Sequence, residues 1–204
     1  MGPEATNAGQ LTAVSDVMSA HLRALGRQVS DLPAAAIEPL ARAVEAAWRA
    51  DRTVFTAGNG GSAATASHFA TDLSKTTIPR APGAPGIRAV ALTDNAGLVT
   101  AWANDYSYEH VFAEQLRNLA RRDDLLVAIS TSGESSNLLA AVTTAGEAGV
   151  RSLALAPPAS PLARQADIVV PVESESVQVA EDLHHVVCHA VTVHMSTVLA
   201  AARP

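Results

Sequence analysis

Aromatic side chains are scarce in this chain: Phe, Tyr and Trp together make up 3% of its 204 residues. Its interior must therefore be filled by aliphatic groups and alanine, a composition that favours helices. Lysine occurs once, as Lys75; arginine supplies the other basic groups, and the formal net charge is −6. No basic stripe can be built from so few cations, which argues against nucleic acid as a partner. Cysteine also occurs once, as Cys188. An intramolecular disulfide is thus excluded, and a reducing, cytoplasmic setting is expected. The sequence opens on no signal-peptide pattern and carries no apolar run of membrane-spanning length, so no membrane contact is expected. Neither the Walker Gly-Lys-Ser/Thr nor the Rossmann Gly-x-Gly-x-x-Gly pattern is present.

What is present is an alternation of short apolar runs with helical patterns. Residues 1–9 read as a disordered start. Apolar residues Leu11, Val14, Val17, Met18, Leu22 and Leu25 recur at helical spacing over 10–29, and a second helix is expected over 35–50. Strands are expected at 53–57, 87–92, 124–129, 151–156 and 167–172. Helices are expected at 63–75, 96–103, 108–121, from the end of the loop 130–137 to about 148, and at 178–201, and residues 79–86 form a Pro/Gly-rich connector. Strands alternating with helices predict an α/β fold, a three-layer α/β/α sandwich on a five-stranded parallel sheet. The first two helices precede it and pack on the domain or on a partner subunit. The whole chain, 1–204, is expected to be one domain.

Ligands in such sheets sit beyond the carboxyl ends of the strands. That rule gathers the loop Gly58-Asn59-Gly60-Gly61-Ser62, Asp94 and the run Ser130-Thr131-Ser132-Gly133-Glu134-Ser135 on one edge. Glycines let a backbone approach a ligand closely, and a helix N-terminus attracts anions. The hydroxyl run adds O–H and N–H donors that suit a phosphate without any Lys or Arg. The plain alternatives are a tight turn for the first loop and a helix cap for the second. His68 and Asp72 stand four residues apart on the following helix, and so share a face. On the last helix Glu181, His185 and His189 repeat at the same interval. Imidazoles and carboxylates at this spacing suit metal ligation or general acid–base work. Adjacent residues His184 and His185 cannot both face one site, and Cys188 reads as a buried small hydrophobe.

Gly58-Asn59-Gly60-Gly61-Ser62 with His68-Phe69, Ile129-Ser130-Thr131-Ser132-Gly133 with Ser135, and Asn104-Asp105 with Phe112 resemble the phosphoheptose isomerase family of sugar isomerase (SIS) domain proteins. The resemblance implies a flavodoxin-like sheet and an aldose–ketose isomerase acting on sedoheptulose 7-phosphate. It also implies a cytoplasmic homotetramer with sites at subunit interfaces and, in some members, bound Zn²⁺. By position, it assigns substrate binding to Asn59, Gly60, Gly61, Ser62, Asp94, Ser130, Thr131, Ser132, Ser135 and Glu181. Asp72 and His189 become the catalytic pair, and His68, Asp72, Glu181 and His189 a metal set. Two residues depart from the family pattern: Asp72 stands where the family has glutamate, and Glu181 where it has glutamine. These departures keep two alternatives open, an isomerase of another ketose phosphate and a non-catalytic SIS protein like the DnaA-binding one.

Overall fold

The computed structural model describes residues 14–77 and 86–202. The expected disordered start at 1–9, the first residues of the helix expected at 10–29, and nearly all of the connector at 79–86 lie outside the described residues. Two helices come first, α1 (Val14–Asp31) and α2 (Ala34–Arg49). Pro33 separates them at the N-cap of α2, with φ −74° and ψ 138°. A proline ring disfavours helical backbone in the residue before it, so the break falls where the sequence predicts.

The α/β body follows. β1 (Thr53–Gly58) leads into α3 (Gly61–Thr71), which widens into a π-helical turn at Asp72–Thr76. Then come β2 (Arg88–Ala91), α4 (Ala96–Asp105), a 3₁₀ turn at Tyr108–His110 and α5 (Ala113–Leu119). The remaining elements are β3 (Leu125–Ile129), α6 (Ser136–Ala148), β4 (Arg151–Ala156), α7 (Pro161–Gln165), β5 (Ile168–Pro171) and α8 (Val177–Ala201). The helix expected at 108–121 is thus two pieces. The loop expected around Pro157, Pro158 and Pro161 contains α7. Pro161 suits its start because its fixed φ is helical and its missing N–H is not needed there, and Ser160 Oγ caps the turn by accepting from the Ala163 amide at 3.2 Å.

The sheet has five strands, all parallel, in the order β2-β1-β3-β4-β5. Side chains alternate between its two faces, as a strand's period of two requires. Leu125, Val127 and Ile129 pack with Leu153 and Leu155 against α2, α3 and α8, around Leu40, Phe69 and Val187. Leu126 and Ala128 pack with Ala154 and Ala156 on the opposite face, against α5, α6 and α7, around Leu116, Leu138 and Leu162. Leucine and valine buried to this degree each contribute about 1.5–3 kcal/mol, so two aliphatic layers replace the missing aromatic core.

α8 passes the length and composition test for a membrane span, where the sequence reading finds no such run. Its apolar face is spent inside the protein, with Leu183, Val187, Val191, Met195 and Leu199 all buried against the sheet layer. α1 is tied to it by His21–Asp182 at 3.2 Å, and Gln28 donates to Ser174 Oγ at 3.2 Å. Among the described residues nothing covers the apolar outer face of α1, with Val14, Met18 and Leu22 exposed by 75%, 61% and 66%.

Candidate active site

β1 and β3 are neighbours, with Gly58 opposite Ile129 in the register. This is where strand order reverses, the place at which open α/β sheets leave a crevice. Each strand ends in one of the two loops singled out in the sequence, so residues 58–62 and 130–135 stand side by side.

Glycine is required at position 58 for space, whereas at position 61 it leaves room for a movable side chain. A Cβ on Gly58 would run into the backbone carbonyl of Ser62, and one on Gly61 into the carboxylate of Glu181. Gly60 caps α3 with φ +54°, a conformation side chains rarely adopt. Asn59 is pinned by three hydrogen bonds. Its Nδ2 donates to Asn137 Oδ1 at 2.9 Å, while its Oδ1 accepts from Asn137 Nδ2 at 2.8 Å and from Tyr108 Oη at 3.0 Å. The reciprocal amide pair bolts the β1 loop to the start of α6.

The second loop is shaped by its own hydroxyls. Ser130 Oγ accepts from the Gly133 amide at 2.9 Å and Ser132 Oγ from the Glu134 amide at 3.2 Å. Gly133 has φ +64°, and a Cβ there would strike the Ser160 side chain. Ser135 stands at the N-cap of α6 without a side-chain capping bond. Ser62 and Ser130 are buried, Thr131 and Ser135 half-buried, and Ser132 exposed.

Beside these loops, α3 and α8 bring together a trio from distant parts of the chain. His68 Nε2 lies 3.6 Å and His189 Nε2 3.7 Å from Asp72 Oδ2, and the two imidazole nitrogens are 3.4 Å apart. The carboxylate is sheltered while both rings are half exposed. Among the described residues these three form the group whose ligand atoms are close enough for one cation. Tetrahedral zinc with bonds of about 2.0–2.1 Å holds its ligands about 3.3 Å apart. The donor types and spacings therefore fit zinc. Glu181 lies outside the trio, its carboxylate against Gly61 at the head of α3. Asp94 reaches the same sheet edge but a separate hollow, shared with Ser74 and Lys75, where Thr93 Oγ1 donates to it at 3.2 Å.

The adjacent histidines divide as geometry demands. His184 is 0% exposed, and neither ring nitrogen has a hydrogen-bond partner among the described residues. Burial pulls its pKa down to about 4, with the neighbouring His185 adding to the effect. His185 faces the trio, with Nδ1 3.0 Å from Thr65 Oγ1. Its pKa is also lowered, by burial first and then by His68 and His189. Burial likewise pushes the Cys188 thiol up, so it stays an inert core group. Thr65, Tyr108 and Asn137 are the neighbours that sequence reasoning passes over. Nothing local marks them, because their partners lie 49 to 120 residues away.

Residues 17–156 match the SIS domain family. Phosphoheptose isomerase from Mycobacterium tuberculosis is 42% identical over 159 residues, covering 78% of this chain and 80% of the relative. The enzyme of that name from Halorhodospira halophila is 38% identical over 153 residues, covering 72% and 75%. The solved phosphoheptose isomerase from Francisella tularensis superposes with a TM-score of 0.81 at 27% identity, covering 92% of this chain and 100% of that one. The one from Neisseria gonorrhoeae gives 0.77 at 28% identity, covering 90% and 97%. With the parallel sheet, the paired loops and these likenesses together, the chain belongs to the phosphoheptose isomerase family of SIS-domain proteins.

Proposed function

We propose that this chain is an aldose–ketose isomerase that converts sedoheptulose 7-phosphate to D-glycero-D-manno-heptose 7-phosphate through an enediol. The observation that carries this reading is the convergence of His68, Asp72 and His189 beside two donor-rich loops. The run at 130–135, with Ser62, offers the phosphate hydroxyls and amides at a helix start. Asn59, immobilised by Asn137 and Tyr108, presents a fixed amide to the sugar. Asp72 takes the proton α to the carbonyl, and His189 moves protons between the two oxygens. An aspartate reaches less far than the glutamate of the family, so substrate must approach α3 more closely here.

The same trio, His68, Asp72 and His189, would hold Zn²⁺, with Glu181 close by on α8 as an added negative charge; with the metal bound, His189 would be a ligand and not the proton carrier. Bound there, zinc supplies Lewis-acid polarisation of the sugar oxygens. The same reading makes residues 1–204 one SIS domain in the cytoplasm. It works as a homo-oligomer, a tetramer, and the uncovered apolar face of α1 supports such packing.

The test is incubation of the purified protein with sedoheptulose 7-phosphate, with and without added Zn²⁺. Formation of the aldose heptose phosphate is expected. Absence of product under both conditions would sink the reading and favour a sugar-phosphate-binding role without catalysis.

A further inference from the structure

His185 is an α8 histidine that faces the trio and to which the isomerase reading gives no task. Its ring lies 5.3 Å from that of His68, edge to face at 70°, and 5.8 Å from that of His189. His68 and His189 are themselves 5.0 Å apart, so the three imidazoles form a near-regular triangle. On its other side, Nδ1 of His185 stands 3.0 Å from Oγ1 of Thr65, a fully packed residue of α3. That hydroxyl donates to the backbone carbonyl of Gly61 at 3.2 Å.

A threonine hydroxyl has one proton to give. Once it is given to Gly61, Oγ1 can only accept from His185, and the neutral ring must carry its proton on Nδ1. Nε2 is then left as a lone pair. Which nitrogen of an imidazole is protonated, and how the ring is turned, is set in this way by the partner of the other nitrogen.

We propose that His185 is a positioning residue: the chain Gly61–Thr65–His185 fixes its tautomer and orientation, and the fixed ring holds His68 and His189 with their Nε2 atoms toward Asp72. His185 touches neither substrate nor the reacting atoms in this scheme; it acts through its two neighbours. The inference rests on the isomerase reading only for its effect on turnover. It also links the glycine loop to the trio, because the anchoring carbonyl belongs to Gly61.

The deciding measurement is the imidazole tautomer, read by long-range ¹H–¹⁵N correlation NMR on the full chain in mildly alkaline buffer. The His185 signals are assigned by their loss in His185→Leu. The Nδ1–H form is expected in the wild type. Thr65→Val, which keeps shape and removes the hydroxyl, is expected to release a mixture of tautomers and shift the His68 and His189 rings. Thr65→Ser is expected to restore the wild-type pattern. An Nε2–H ring in the wild type, or no change in Thr65→Val, overturns the proposal. Titration with Co²⁺ gives the size of the effect: His185→Leu is expected to bind it 10–100-fold more weakly, the usual loss when a supporting group is removed. Unaltered Co²⁺ affinity together with unaltered kcat also overturns the proposal. Were the wild type to show no isomerase turnover, the tautomer readout would still decide the role of His185, while the isomerase reading alone would fall.

Discussion

The hydroxyl turn after β3 and the histidine trio share one sheet edge, yet they are held in opposite ways. In the turn, serine side chains accept from backbone amides at 2.9 and 3.2 Å within four residues of chain, and a left-handed glycine closes the shape. In the trio, the three ligand atoms stand 3.4 to 3.7 Å apart, longer than good hydrogen bonds, and their residues span 121 positions of sequence. The turn is complete by itself. The trio brings three ligand atoms close enough for one cation, and the His185 ring stands beside two of its members. Shape in the first region is a matter of local folding; in the second it is a matter of how α3 and α8 dock.

The largest effect should come from the trio. His189→Ala is expected to lower kcat by about 10²–10⁴, the usual worth of a positioned acid–base group. Thermal unfolding should hardly move, because the ring is half exposed. Retained turnover in this variant would remove His189 from the mechanism and leave the trio a mere surface cluster.

Next comes the buried histidine behind it. His184 titrates near pH 6.5 in an unfolded chain but is held down to about 4 in the fold. Its contribution to stability is therefore complete above pH 6.5 and lost as pH falls from there toward 4. The loss amounts to about 3 kcal/mol by the rule of 1.4 kcal/mol per pH unit. His184→Leu should flatten this acid limb in chemical denaturation measured across that pH range. A limb unchanged in the variant would assign the acid sensitivity to other groups.

The smallest effect should fall on the turn. Gly133→Ala forces a side chain into a left-handed backbone and against Ser160, at a cost of about 1–3 kcal/mol. For a chain of this size that lowers Tm by roughly 2–12 °C. Calorimetry would register it. A Tm within a degree of wild type would mean the turn is softer than its hydrogen bonds imply.

The same contrast explains what the sequence made legible. Strand runs such as Asp-Leu-Leu-Val-Ala-Ile at 124–129 declare themselves because both faces of a parallel sheet are buried, and their alternation with helices predicts that the strands run parallel, whereas the strand order comes from the structure. The glycine and serine loops are also contiguous, so their donors could be read in place. Thr65, Asn137 and Tyr108 could not, since each matters only through a partner far along the chain. Spacing placed His185 on the face of His189 and His184 off it, but which of the two faces was turned toward His68 and which into the core was set only by the docking of α8. The π-helical widening at Asp72 was likewise hidden: Asp72-Leu73-Ser74-Lys75 contains no Gly or Pro to mark it.

The amide pair between Asn59 and Asn137 bears on the chemical ageing of the protein. Asn59 precedes Gly60, the arrangement in which a flexible, unhindered backbone nitrogen most readily attacks the asparagine side chain and closes a succinimide. Here the side-chain oxygen is engaged by two donors and its nitrogen by one acceptor, so the amide is not free to rotate into the path of attack. The loop is therefore protected against deamidation while it is folded and exposed to it once opened. Loss of the native amide at position 59 would serve as a slow clock of how often this sheet edge comes apart.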